Sequence, residues 1–146
     1  MADSIRVPIN TESLIVLNVT FQNHADREGK IVPLTTDMLN NIYREASGND
    51  PEHLVVYSEE QNVSTDLIGM DAAIVIEGEF NHTRTAFIDV DLSDVPGLSD
   101  ALLQSQSILR IPVVHAKIFG WYDNEYGSYT NRLGDLAVYI HKNLFC

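Results

Sequence analysis

Residues 4–9 alternate polar and apolar, with Ile5, Val7 and Ile9 on one side, which predicts a strand. Pro8 suits an edge or a strand end. Residues 14–22 are dense in β-branched and aromatic side chains, interrupted at Asn18 and Thr20, and predict a long strand. Asn10-Thr11-Glu12-Ser13 between the two reads as a turn, so they predict an antiparallel hairpin. The polar stretch 23–30 predicts a loop.

The period then changes from two to about 3.6. Met38, Leu39, Ile42, Tyr43 and Ala46 form a stripe that predicts a helix over 35–47. Thr35 or Thr36 caps its start, and Gly48 suits a left-handed end. Asn49-Asp50-Pro51 predicts a turn, and 54–57 a short buried strand. Residues 72–77 and 84–90 read as strands joined by a polar link with Gly78 and Asn81. Residues 98–109 predict a short helix with Ser99 as cap and Leu98, Leu102 and Leu109 on one face. Residues 112–119 predict a strand. The clearest helix is 130–144, striped by Leu133, Leu136, Ala137, Ile140 and Leu144 and capped by Thr130 or Asn131. No repeat or low-complexity segment interrupts the order. The pattern predicts an α+β fold, an antiparallel or mixed sheet with the helices at 35–47 and 130–144 packed on one face.

Composition narrows the function. A chain of 146 residues, 45% hydrophobic, predicts one domain over 1–146. Nine Lys and Arg against 21 Asp and Glu give a formal charge of -12. That balance excludes nucleic acid and anionic membranes as partners, since both are held by clustered cations. The apolar stretches are far shorter than the ~20 residues that span a bilayer. The first residues lack the apolar core of a signal peptide, so the expected location is the cytoplasm. The single cysteine, Cys146, is the last residue.

Most chemical signatures are missing. The sequence has no Gly-x-Gly-x-x-Gly run, no P-loop and no Gly-x-Ser-x-Gly elbow. His24, His53, His82, His115 and His141 do not pair at metal-ligand spacing, so no metal is expected. No catalytic residue is assigned. One segment stands out: Trp121-Tyr122-Asp123-Asn124-Glu125-Tyr126-Gly127, between a predicted strand and a predicted helix. Such junctions place polar groups near a ligand, because a helix start offers free N–H donors. The segment reads equally as an aromatic plug in which Asp123 or Asn124 makes the turn.

Trp121 to Arg132 reads W-Y-D-N-E-Y-G-S-Y-T-N-R. It resembles the W-Y-D-N-E-x-G-Y-S-N-R signature near the C-terminus of glyceraldehyde-3-phosphate dehydrogenases. Collinear pieces strengthen the resemblance. Ser4-Ile5-Arg6-Val7-Pro8-Ile9 is similar to the family's R-V-P strand, and residues 14–21 to the strand after it. Arg44-Glu45-Ala46-Ser47 is similar to its K-E-A-S helix end, and Val63-Ser64-Thr65-Asp66 to its V-S-S/T-D. Residues 133–140 resemble its terminal helix. The family's dinucleotide-binding Rossmann domain, its S-C-T-T-N nucleophile and its catalytic histidine have no counterpart in these residues. The chain is expected to start past that nucleophile. Residues 91–110 read as an insertion, and one extra residue sits between Gly127 and Tyr129.

The resemblance implies roles at matched positions. Asn124 corresponds to the asparagine that hydrogen-bonds the nicotinamide carboxamide. Tyr126 corresponds to the aromatic beside the ring, and Tyr122 to the tyrosine approaching the nucleophile. Arg6 corresponds to an arginine of the substrate-phosphate pocket, where a guanidinium fork grips phosphate. Arg6 equally suits a surface ion pair in so acidic a chain. NAD is implied by the family, with no tight binding expected to this chain alone. Two functions follow as expectations. One is a C-terminal domain, stand-alone or truncated, that is inactive alone and serves binding or assembly as a homo-oligomer. The other is part of a working NAD-dependent dehydrogenase whose Rossmann domain and nucleophile come from elsewhere.

Overall fold

A computed structural model describes residues 11–98 and 107–144. Seven strands run in the order β1 (Glu12–Gln22), β2 (His24–Ala25), β3 (Ile31–Val32), β4 (Val55–Ser58), β5 (Ile74–Glu77), β6 (His82–Asp91) and β7 (Ile108–Asp123). Helix α1 (Thr36–Gly48) lies between β3 and β4, and α2 (Ser128–Leu144) follows β7. Two 3-10 turns, Ser64–Asp66 and Leu92–Asp94, complete the described elements.

β7 is the axis of the sheet. One of its edges pairs antiparallel with β1 from Val113 to Asp123. The other pairs with β6 from Ile108 to Lys117, then with β5 at Gly120 and Trp121. β4 joins β5 in parallel, so the sheet is mixed and the α+β class stands. The strand is longer at both ends than the expected 112–119. Its continuation carries Trp121, Tyr122 and Asp123 onto the ladder rather than into a loop. Its start takes Ile108 and Leu109 out of the expected 98–109 helix. Residues 99–106 of that helix, the 4–9 strand and Arg6 lie outside the described residues. Of the insertion expected at 91–110, residues 99–106 lie outside the described residues; on either side of them the Asp91–Ile108 rung and a Leu92 N–H bond to Ser107 O join β6 to β7.

Alternation along β7 sends Ala116 and Ile118 to one face, where they pack with Leu39 of α1 and Ile76 of β5. Full burial of aliphatic side chains such as these contributes ~1.5–3 kcal/mol each. Gly120 belongs to that face for a steric reason. A Cβ there would lie 2.6 Å from Ile74 Cδ1, so the isoleucine fills the space a side chain would need. Trp121 points the opposite way, onto Leu67, Ala72 and Val75.

α1 matches its expected range, with Thr35 as its cap: Oγ1 accepts the Met38 N–H at 3.2 Å. Thr36 instead accepts the Thr83 N–H at 3.0 Å, tying the helix start to β6. Gly48 is the last helical residue and is not left-handed. Asn49 ends the helix at φ -106°, its side-chain amide donating to Glu45 O. Two of the five stripe residues are used: Leu39 and Tyr43 face the sheet, while Met38, Ile42 and Ala46 are exposed. Two more polar ties bind α1 to the sheet side: Asn40 donates to Gly78 O and accepts from Asn81, and Ser47 accepts the Tyr57 N–H.

Three other expectations change. The turn expected at 10–13 is already strand from Glu12 onward. The loop at 23–30 contains β2, which pairs with β3. α2 starts at Ser128, so Thr130 and Asn131 sit in its first turn rather than at its cap. Its stripe is not covered among the described residues: Leu136 is 52% and Ile140 40% exposed. Periodicity identified this helix without identifying what lies against it.

Candidate functional site at the end of the central strand

β7 ends at Asp123, and four intervening residues separate it from Ser128, where α2 begins. Asp123 organises the turn between them. Its Oδ1 accepts the N–H groups of Glu125 at 2.7 Å and Tyr126 at 3.0 Å. Its Oδ2 accepts the Gly69 N–H at 2.8 Å, from the loop after the first 3-10 turn. Ser128 closes the other side, accepting the Asp123 N–H and donating to its carbonyl. Of the two turn candidates, Asp123 is therefore the turn-maker. Burial works against its charge, but the N–H groups of Gly69, Tyr126, Glu125 and Gly127 outweigh that and hold its pKa below the usual carboxylate range. Gly127 is required by close approach. A Cβ there would sit 2.3 Å from Met70 O, a backbone atom that cannot step aside.

Asn124 makes no turn contact of this kind. It is exposed, and its amide donates to Ser13 Oγ at 3.0 Å. Tyr126, two residues on, is 66% exposed. Tyr122 is half-buried on β7, directly across the ladder from the same Ser13. Ser13 thus links Tyr122 and Asn124 through one rung and one hydrogen bond, while Arg6 lies outside the described residues. Trp121 anchors the strand end. Its Nε1–H donates to Glu77 Oε2 at 3.0 Å, and Glu77 also accepts from Asn62 Nδ2 and the Asn62 N–H. Asn131 and Arg132 of the signature both reach Asp71, tying the first turn of α2 to the β5 approach.

Sequence reading missed two groups. Glu77 is completely buried, with three donors turned to it. Glu12 is 5% exposed, and neither of its carboxyl oxygens has a hydrogen-bond partner. It stands opposite Asp123 in the β1–β7 ladder. Burial, and secondarily the Asp123 charge, push its pKa above the usual value. The ladder pairing at the strand end was the only signal for this position, and a turn-like Asn10-Thr11-Glu12-Ser13 hid it. Among the described residues, no three His, Cys, Asp or Glu gather as a metal site.

The arrangement defines a class first: an α+β domain whose longest strand ends in a carboxylate-tied loop presenting an amide and an aromatic ring. No protein-family model matches the chain. It is 32% identical over 143 residues to glyceraldehyde-3-phosphate dehydrogenase 1 of Streptomyces arenae, covering 98% of this chain and 31% of that protein. It is 29% identical over 143 residues to glyceraldehyde-3-phosphate dehydrogenase 1 of Streptomyces avermitilis, with the same coverage. It is 29% identical over 137 residues to the Priestia megaterium glyceraldehyde-3-phosphate dehydrogenase, covering 94% of this chain and 30% of that one. The chain therefore spans about a third of the length of the curated relatives it matches. The resemblance read from the signature is borne out: the chain is related to the glyceraldehyde-3-phosphate dehydrogenase family through that family's C-terminal part.

Proposed function

We propose that these residues form a single glyceraldehyde-3-phosphate dehydrogenase-like domain that serves as a binding and assembly module and does not oxidise an aldehyde alone. The observation that carries this reading is uncovered apolar surface. Leu14, Ile15, Val16 and Leu17 of β1, Phe87 and Ile88 of β6, and the α2 stripe are all exposed. Apolar patches beyond a few hundred Å² mark contact surfaces. The partner is a second copy of this chain or a Rossmann-type domain. The net charge of -12 opposes self-association most strongly at low salt. Light scattering is expected to show a dimer or larger species promoted by salt. A monomer at both low and high salt overturns the assembly reading.

A second reading rests on the strand-end loop. Ser13 holds the Asn124 amide nitrogen, which leaves Oδ1 to accept an N–H from a carboxamide. Tyr126 lies exposed beside it in sequence, with Tyr122 one rung from Ser13. These groups fit one end of a nicotinamide, with Arg6 as a substrate-phosphate ligand. NAD, when bound, accepts the hydride from the substrate. The chain's own residues would orient the ring and grip phosphate. The thiolate and the dinucleotide-binding domain would come from outside these residues, and the working location would be the cytoplasm. Among the described residues, no helix is long and apolar enough to cross a membrane. The isolated chain is expected to show no turnover with NAD and glyceraldehyde 3-phosphate. Turnover that survives Cys146→Ala overturns the expectation of inactivity.

A further inference from the structure

Glu12 has no part in either reading, yet both of its carboxyl oxygens are buried without a hydrogen-bond partner. A buried carboxyl without partners is unfavourable when ionised. Like charges directly opposite on antiparallel strands are unfavourable as well. Glu12 meets both conditions: both oxygens are buried and unpaired, and Asp123 stands across the rung. Among the described residues, none of the neighbouring charges pairs with it. β1 carries no Lys, Arg or His, and the nearest cation on β7 is Lys117, six residues from Asp123. His115 of β7 lies further along and bonds Thr20, and Arg110 lies further still. The 3-10 turn packed near β1 contributes Asp66, whose carboxylate accepts the Val63 N–H. At the start of α2, Arg132 reaches Asp71 and Asp135 through Nη2, while its buried Nε has no hydrogen-bond partner.

We propose that Glu12 is a proton-operated latch on the pairing of β1 with the end of β7. With its carboxyl protonated, the pair carries one negative charge, on Asp123, where backbone N–H groups already stabilise it. When the proton passes to water, two carboxylates face each other in a buried space, with no cation paired to Glu12 among the described residues. Opening the Glu12–Asp123 rung brings the Glu12 carboxyl to solvent. The Ser13–Tyr122 rung is next, and Ser13 holds Asn124. Rising pH therefore loosens the strand end and releases the Asn124 loop, while falling pH fastens it. The sign follows from linkage: a raised carboxyl pKa gives stability that is full below the unfolded value and lost as pH rises through the folded one. The latch concerns the chain's own ladder and holds whether or not Asn124 meets a cofactor.

Amide hydrogen exchange on the full chain tests it, comparing wild type with Glu12→Gln, the uncharged isostere, at matched pH from about 3.5 to 8.5. Matching pH cancels the intrinsic exchange rate. Below the ordinary glutamate value the expected protection ratio, variant over wild type, is near one for the Ser13 and Tyr122 amides. It climbs by up to about tenfold per pH unit between that value and the raised one of the closed ladder, and levels off above it. The sole tryptophan, Trp121, two residues from Asp123, should shift its fluorescence in step in the wild type alone. A ratio that stays flat across the range overturns the proposal. Should Glu12→Gln not fold, a carboxyl 13C titration of the unmodified chain decides. A Glu12 midpoint above the ordinary carboxylate range, tracked by the Tyr122 and Asn124 amide shifts, supports the latch. An ordinary midpoint, or silent amides, refutes it.

Discussion

Glu77 and Glu12 are both buried glutamates at the same end of the same sheet, and they do opposite things. Glu77 is fully enclosed and accepts from the Trp121 indole and twice from Asn62. Glu12 is nearly as enclosed and accepts from nothing. Three donors make the first a fastening for the tryptophan and the 58–62 turn. The absence of donors, with Asp123 opposite, makes the second a weak point. Burial alone thus says little about what a carboxyl contributes. What decides is the number of N–H groups aimed at it and the sign of the nearest charge.

The comparison breaks most visibly at Glu77. Glu77→Ala strands the indole N–H and the Asn62 donors around a cavity, and it should lower stability by about 3 kcal/mol. Chemical denaturation followed by circular dichroism measures this, and a loss under 1 kcal/mol would show the donors finding other acceptors. Trp121→Phe keeps most of the ring contact with Leu67, Ala72 and Val75 but removes one donor from Glu77. A loss of about 1–2 kcal/mol is expected, read by the same method.

The dependence on pH sharpens the contrast between the two ends of the Glu12–Asp123 rung. Asp123, held below its ordinary pKa, gives stability that is present above the unfolded carboxylate value and lost as pH falls through the folded one. Glu12, raised, gives the reverse slope on the less acidic side. Thermal melting from pH 2 to 8.5 should trace both limbs, and Glu12→Gln should flatten only the upper one. Asn124→Ala should have the smallest effect, within about ±0.5 kcal/mol, because its one described bond is at an exposed site. A change as large as that of Trp121→Phe would make Asn124 a structural residue and remove the main support for a carboxamide-binding role.

Much of this was legible in the sequence. The Thr35 cap, the α1 range, the strand at 112–119 and the special character of Trp121–Gly127 all follow from periodicity and turn chemistry. Those signals are local. The illegible parts depend on distant chain. Glu12 reads as a turn residue because its ladder partner lies 111 positions away. Met38 and Ile42 belong to the expected stripe, yet the sheet beneath α1 reaches only Leu39 and Tyr43. Asn124 and Asp123 looked interchangeable as turn-makers until Gly69, brought in by a separate loop, supplied the third N–H for Asp123. At the start of α2, Ser128 rather than Thr130 closes onto Asp123, and the Thr130 hydroxyl donates to Glu125 O instead.

The central position of β7 has a consequence for synthesis on the ribosome. β1, β5 and β6 all need β7 as a ladder neighbour, and β7 is the last of the strands to be translated. At ~5–20 residues per second, β1 waits roughly 5–20 seconds after leaving the exit tunnel before its partner exists. During that interval Leu14-Ile15-Val16-Leu17 is an unpaired, uncharged apolar run with open N–H and C=O groups, the kind of segment that pairs with other nascent chains or recruits a chaperone. Codon usage between β6 and β7 therefore bears directly on the yield of folded protein: slower decoding there lengthens the exposure of β1, and faster decoding shortens it.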